Sequence, residues 1–428
     1  MTTNLNRRQF LQSAGATGVL GMSQAALPSW MPRMAFRDQL NVSGNHDTLV
    51  CIFLRGGMDG LSAVVPYSEG GHYYDNRLTT AVAEPGSGEG SAIDIDGQFG
   101  FHPELAPLKD IMDEGDLAVV HATGLTDGTR SHFDAMQFME YGVPGNKTIG
   151  TGWIGRHLQT TAERNDSPFR AIGIGLMAPT SLRGPISPLA IRSIADFHFK
   201  GRNDELKRLQ RSLQMLYTTD APADPQNLLG SQAKLVFDTL ETVKGLNPNS
   251  YTAANGANYY EDEFHMGLKQ IAQIIRADVG LEVACLDLGG WDTHEAQGTV
   301  GGEFGTLMSI LGRGLQAFYT DLQDRMGNVT VVVMSEFGRT LVENGSGGTD
   351  HGHGNVMFLM GGRVRGGQVY AKWPGLEPEG LDAEGDLAIT IDYRDVLTEV
   401  LTGRMDSHAI DKIFPGHVAT QLGLVNSI

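Results

Sequence analysis

Six short, unbroken apolar runs recur along the chain: Thr48–Leu54, Leu117–His121, Ala171–Ile174, Leu281–Leu288, Val329–Met334 and Val356–Met360. A strand with one wet face alternates apolar and polar residues, whereas an unbroken run is covered on both faces, as in parallel sheets packed between helices. The intervening sequence supplies helices. The clearest spans Glu303 to Met326, where Phe304, Leu307, Met308, Leu311, Leu315, Phe318 and Leu322 recur at helical spacing. It then passes through Gly327 into the strand VTVVVM. The expectation is an α/β fold with a largely parallel central sheet flanked by helices.

With 428 residues, 41% of them hydrophobic, the chain can bury one large core. From Asn203 to Ile275 it reads as helix interrupted by TTDAPADPQN and GLNPNSYTAANGAN. This points to a helical insertion, about 203–277, within a single domain of residues 47–428. The N-terminus is different. NRRQFLQ places Arg7 and Arg8 ahead of a short Gly/Ala-rich apolar run and small residues up to Ala26. That is the pattern of a signal peptide, and paired arginines favour the twin-arginine route. Residues 1–26 are expected to be the signal and 27–46 a linker, with the mature protein in the periplasm or cell envelope. The structural alternative is a surface helix with a chance arginine pair. No stretch is long and apolar enough to span a bilayer, so no integral membrane segment is expected after cleavage.

Charge and cysteine usage narrow the partners. The formal charge of −18 becomes about −20 once Arg7 and Arg8 leave with the signal, which disfavours nucleic acid and anionic membrane. An anionic small molecule or a glycan stays open as ligand. Cys51 and Cys285 lie inside apolar runs and read as buried small hydrophobes. With no CxxC, CxxCH or GxGxxG pattern, neither iron–sulfur, haem nor nucleotide chemistry is expected.

In an open parallel sheet the ligand site lies beyond the carboxyl ends of the strands, and unusual polar residues gather there. LRGGMDGL brings Arg55 and Asp59, and VVHATGLTDGTRSHFDAM brings His121, Arg130, Ser131, His132 and Asp134. LDLGGWDTHEAQ brings Asp287, Asp292 and His294, and MSEFGRT brings Glu336 and Arg339. GGTDHGHGN, just before the last apolar run, brings Asp350, His351 and His353. Asp292 with His294, and His351 with His353, are i, i+2 pairs; in an extended segment each pair shares one side, as loop-borne metal ligands must. Asp350 is a further ligand or orients a histidine. Such nitrogen and oxygen donors suit one divalent transition metal: zinc, manganese or iron. The structural alternative is that these side chains hydrogen-bond loop backbone. Asp59, Glu336, His121 and His132 stand beside the set as orienting groups or alternative ligands.

Ser131 to Asp134 fits a capping box ahead of apolar helical positions. A helix N-terminus also attracts anions, and Arg130 adds charge beside it. Ser131 is therefore a cap, a nucleophile or an anion-binding hydroxyl.

The set NRRQF, LRGGMDGL, RSHFDAM, GWIGRHL, GGWDTHEAQ, MSEFGRT, GTDHGHGNVMFLMGG, GGQVYAKWPGL and TIDYRDVL resembles the exported bacterial family called domain of unknown function 1501. More distantly, the layout is similar to the alkaline phosphatase and sulfatase superfamily. That resemblance implies an alkaline-phosphatase-like α/β core, a hydroxyl nucleophile at a helix N-terminus and two metals. Carried over, one metal would take Asp292, His294 and either His351 or His353, and the nucleophile would be Ser131, with Thr129 as the alternative. The second metal site departs from the pattern. Arg55 replaces an aspartate, with Asp59 four residues on, and Glu336-Phe337 replaces Asp-His. Arg55 could then supply the missing charge, paired to Glu336 or holding an anionic substrate. Two functions follow as expectations. One is a metal-dependent phosphate or sulfate ester hydrolase with Ser131, Arg130 and Arg55 in catalytic roles. The other is a non-catalytic envelope protein that binds an anionic ligand or glycan.

Overall fold

The structure, a computed structural model, describes residues 47–161, 167–186, 188–194 and 250–426. The expected signal, the linker and residues 203–249 of the expected insertion lie outside the described residues.

Nine strands form the central sheet: β1 (Thr48–Arg55), β2 (Leu117–Gly124), β3 (Ala171–Ile174), β4 (Leu189–Ile191), β5 (Val283–Gly289), β6 (Val329–Ser335), β9 (Asn355–Met360), β10 (Val369–Tyr370) and β11 (Ile391–Asp392). A hairpin of β7 (Arg339–Glu343) and β8 (Thr349–His351) stands apart from it. The order is β10-β2-β9-β6-β1-β5-β3-β4, with β11 also on β2. β1 lies at the centre, its Ile52 in register with Leu286 on one side and Val333 on the other.

The unbroken apolar runs have the expected cause. Val50, Ile52 and Leu54 of β1 enter one core, with Phe264, Leu268, Phe304, Leu311 and Phe318 of the helices α3 (Glu263–Arg276) and α4 (Glu303–Asp321). Leu49, Cys51 and Phe53 enter the other, against α1 (His132–Tyr141), α2 (Trp153–Thr160) and α5 (Tyr393–Arg404). Both faces of β1 are thus removed from water, and alternation has no advantage. Cys51 and Cys285 sit in register across β1 and β5, both buried, and burial pushes the Cys51 thiol up to about 12.

Two expectations need correction. The run Val356–Met360 is a strand but runs antiparallel to both neighbours, β2 and β6. Chain direction leaves no trace in a strand buried on both faces. The hairpin turns the chain back at the carboxyl end of β6, so β9 descends directly without a crossover helix. The long helix ends at Asp321, short of Met326. Asp321 is buried and accepts hydrogen bonds from Tyr251 Oη (2.8 Å), Tyr259 Oη (3.0 Å) and the Ala254 N–H (2.8 Å).

Candidate metal centre

Four segments meet at the carboxyl end of the sheet. Beyond β1 the chain passes so close to the loop after β5 that a Cβ on Gly56 would lie 2.6 Å from the Asp292 nitrogen; its φ of +122° also demands glycine. Beyond β5, the buried Trp291 donates its indole N–H to the Leu288 carbonyl (2.9 Å) and so fixes Asp292 and His294 on the rim. The hairpin turn presses on the same loop, where a Cβ on Gly348 would lie 2.4 Å from the His294 carbonyl carbon. Arg339 and His351 face each other across the hairpin. The fourth segment, the start of α1, supplies His132.

The reactive atoms converge. Ligating atoms of His132, Asp292 and His351 all lie within 4.8 Å of one another. Asp292 Oδ1 is 3.2 Å from His132 Nε2, 3.0 Å from His294 Nε2 and 3.1 Å from His351 Nε2. His294 Nε2 and His351 Nε2 are 2.9 Å apart. Phe337 is wedged beneath, its ring centre 4.8 Å from that of His132 and 4.9 Å from that of His351.

Each imidazole has its other nitrogen occupied. His132 Nδ1 is 2.8 Å from Glu336 Oε1, His294 Nδ1 is 2.7 Å from Asp350 Oδ1, and His351 Nδ1 is 2.7 Å from the Arg130 carbonyl. A carbonyl or a carboxylate accepts, so each Nδ1 has a partner for its proton, while each Nε2 is turned to Asp292 Oδ1. Three ring nitrogens thus crowd one carboxylate oxygen, and the buried His132 Nε2 lies 3.2 Å from it outside hydrogen-bond geometry. A cation among these atoms would relieve that crowding. Donors about 2.1 Å from a tetrahedral zinc stand about 3.4 Å from one another, close to the separations from Asp292 to His132 and His351. The residues fit a divalent metal.

Arg339 completes the electrostatics. Its guanidinium is buried and donates to Asp292 Oδ1 (2.7 Å), to the Gly57, Thr349 and Trp291 carbonyls (2.6, 3.0 and 2.8 Å) and to the Gly56 carbonyl. Burial works against ionisation of Asp292, but Arg339 and His351 outweigh it and hold the carboxyl well below the usual range. The Glu336 hydrogen bond raises the His132 pKa, whereas burial lowers that of His351.

Other residues singled out in the sequence lie elsewhere. Arg55 bonds Asp287 (2.6 Å) and Glu140 (3.1 Å), not Glu336. Arg130 turns its guanidinium to Asp386 (2.5 Å) and Glu384 (2.8 Å). Asp59 is buried in an ion pair with Arg77 (2.5 Å), joined by Ser62 and Gln297. His121 is buried, 3.0 Å from the Val64 carbonyl, and burial pushes its pKa down to about 4. His353 pairs through Nδ1 with Asp382 instead of the centre. Ser131 occupies the N-cap position of α1, yet its side chain makes no cap bond and stays exposed, while Asp134 pairs with Lys147 (2.6 Å); no capping box forms. Ser131 is nonetheless flanked by two attachments to the centre, the Arg130 carbonyl and the His132 ring.

The sequence offered His132 as an orienting group or alternative ligand, and the structure sets its Nε2 among the candidate ligand atoms. Arg339 was visible only as a polar residue after a strand, because its five acceptors come from distant loops.

Among solved structures, the chain is similar to the PsFucS1 sulfatase from Pseudoalteromonas sp., at 11% identity and a TM-score of 0.38, over 89% of this chain and 74% of that one. It is also similar to the C-terminal periplasmic domain of EcEptC from Escherichia coli in complex with Zn, at 12% identity and a TM-score of 0.37, over 94% of both chains. A third is the alkaline phosphatase from the Antarctic bacterium TAB5, at 11% identity and a TM-score of 0.32, over 83% of this chain and 98% of that one. Likeness at these scores assigns no role to any residue. No curated protein matches the chain. Residues 46–414, which carry every segment of the centre, match the sequence profile described as Protein of unknown function (DUF1501), and the chain belongs to that family.

Proposed function

We propose that this chain, exported by the twin-arginine route to the periplasm or envelope, is a hydrolase of phosphate or sulfate esters built on one divalent transition metal. The single observation that supports it most is the convergence of His132 Nε2, His294 Nε2, His351 Nε2 and Asp292 Oδ1, with every Nδ1 tied to an acceptor. The metal, when bound, supplies Lewis-acid stabilisation of negative charge developing on an ester oxygen. Asp292, His132 and His351 would hold it, with His294 beside them, and Arg339 keeps Asp292 ionised. Ser131 offers an exposed hydroxyl with no cap bond, at the N-terminus of a ten-residue helix whose N–H groups favour a nearby anion. Its neighbours Arg130 and His132 both attach to the centre, which supports Ser131 as the candidate nucleophile.

One observation favours a second reading, a non-catalytic protein that binds a glycan or an anionic ligand. Arg55 and Arg130 are each neutralised by two carboxylates, so neither guanidinium is free to stabilise a transition state. The test is a panel of phosphate and sulfate monoesters given to the metal-loaded full chain and to Ser131→Ala. Turnover by the native protein, lost in Ser131→Ala with metal retained, supports the hydrolase. No turnover of any ester by a metal-loaded native protein supports the binding protein instead.

A further inference from the structure

The three rings of the centre are anchored unequally. His351 is tied to a backbone carbonyl, and His294 to Asp350, whose side chain is 59% exposed. His132 is tied to Glu336, which has no exposed surface. Glu336 is itself fixed on both oxygens. Oε1 accepts the Gly56 N–H at 2.8 Å, and Oε2 lies 3.0 Å from Ser335 Oγ, whose one proton is shared with the Leu54 carbonyl at 2.7 Å. A buried carboxylate needs such partners to remain charged, and the remaining donor in reach is the His132 ring at 2.8 Å. Two rings restrict its turning: Phe337 packs against it, tilted by 36°, and the His351 ring lies across it at 4.3 Å between centres. Glu336 follows directly on β6, so the sheet itself sets its position.

From this geometry we infer that Glu336 is a positioning residue: it locks His132 in the tautomer with the proton on Nδ1 and so prepares Nε2 as a ligand before any metal arrives. The inference rests on reading the centre as a metal site, and it adds the group that makes that site preformed. Carboxylates that orient ligating histidines contribute about 10–100-fold in metal affinity.

The experiment uses the full chain, labelled with 15N at histidine and stripped of metal. Long-range proton–nitrogen spectra read each tautomer, with the His132 signals assigned from a His132→Gln variant. Native His132 is expected as the Nδ1–H form. Glu336→Gln is expected to lose the fixed tautomer, to bind zinc about 10–100-fold more weakly in chelator competition and to shift the visible spectrum of bound cobalt. A native Nε2–H form overturns the inference, as does a Glu336→Gln protein that keeps both tautomer and affinity. If Glu336→Gln fails to fold, the native tautomer alone decides. If the native protein binds neither zinc nor cobalt, the metal reading fails by itself, and the tautomer comparison still decides the role of Glu336.

Discussion

Asp292 and His294 are two residues apart, as are His351 and His353, yet the first pair converges and the second divides. Asp292 Oδ1 and His294 Nε2 end 3.0 Å apart on a rim held by Trp291. His351 is the last residue of β8 and turns to Asp292, while His353 turns to Asp382. The rule that i and i+2 share a side applies to extended chain, and the second pair leaves it at once. Gly352 bonds back to the Gly338 carbonyl (2.9 Å), and Gly354 is drawn to the Leu387 carbonyl (2.9 Å). Two histidines in one short loop therefore serve different neighbourhoods, one the cluster around Asp292 and the other a half-buried pair with Asp382.

The largest effect should come from breaking the converging pair. Asp292→Asn removes the anion shared by three rings and by Arg339, so elemental analysis should show metal lost and the melting temperature lowered. Metal retained at native stoichiometry would show that Asp292 is not a ligand. A smaller effect is expected at the exposed edge. Asp350→Asn leaves His294 an acceptor on a half-open surface, and chelator competition should show affinity reduced by less than about tenfold, the low end for orienting groups. A larger loss than at Glu336→Gln would invert the ranking of the two anchors.

Histidines outside the centre sharpen the contrast further. Burial pushes His121 and His102 down to about 4 from an ordinary 6.5. Between those values the unfolded chain takes up protons that the folded chain refuses. Stability is therefore full above about 6.5 and falls as pH drops toward 4. Urea midpoints of native protein and His121→Phe at pH 7 and 4.5 should show a shallower fall in the variant; equal falls would mean that His121 does not carry the slope.

Much of the fold was legible because burial on both faces writes itself into composition. All six apolar runs are strands, and their ends mark the rim where the centre forms. The reversed direction of β9 was not legible, since a doubly covered strand reads alike in either sense. It is also the reversal that brings the DHGHG loop, which precedes its strand, to the carboxyl end of the others. At the centre, Asp292 and His294 announced themselves by residue type and place, whereas the choice between His351 and His353 stayed open. The fates of Arg55, Arg130 and Asp59 did not, because each is settled by a partner far along the chain: Asp287 with Glu140, Asp386 with Glu384, and Arg77. His132 was legible as an orienting group or alternative ligand, beside a cap pattern whose hydrogen bonds never form.

The most direct test of the centre is elemental analysis of the full chain, purified without chelator or histidine tag, beside His351→Ala and His353→Ala. One equivalent of a transition metal in the native protein and in His353→Ala, with none in His351→Ala, is the predicted result. Metal absent from the native protein, or lost equally from both variants, would contradict the assignment of His351 to the centre and of His353 to its acid pair.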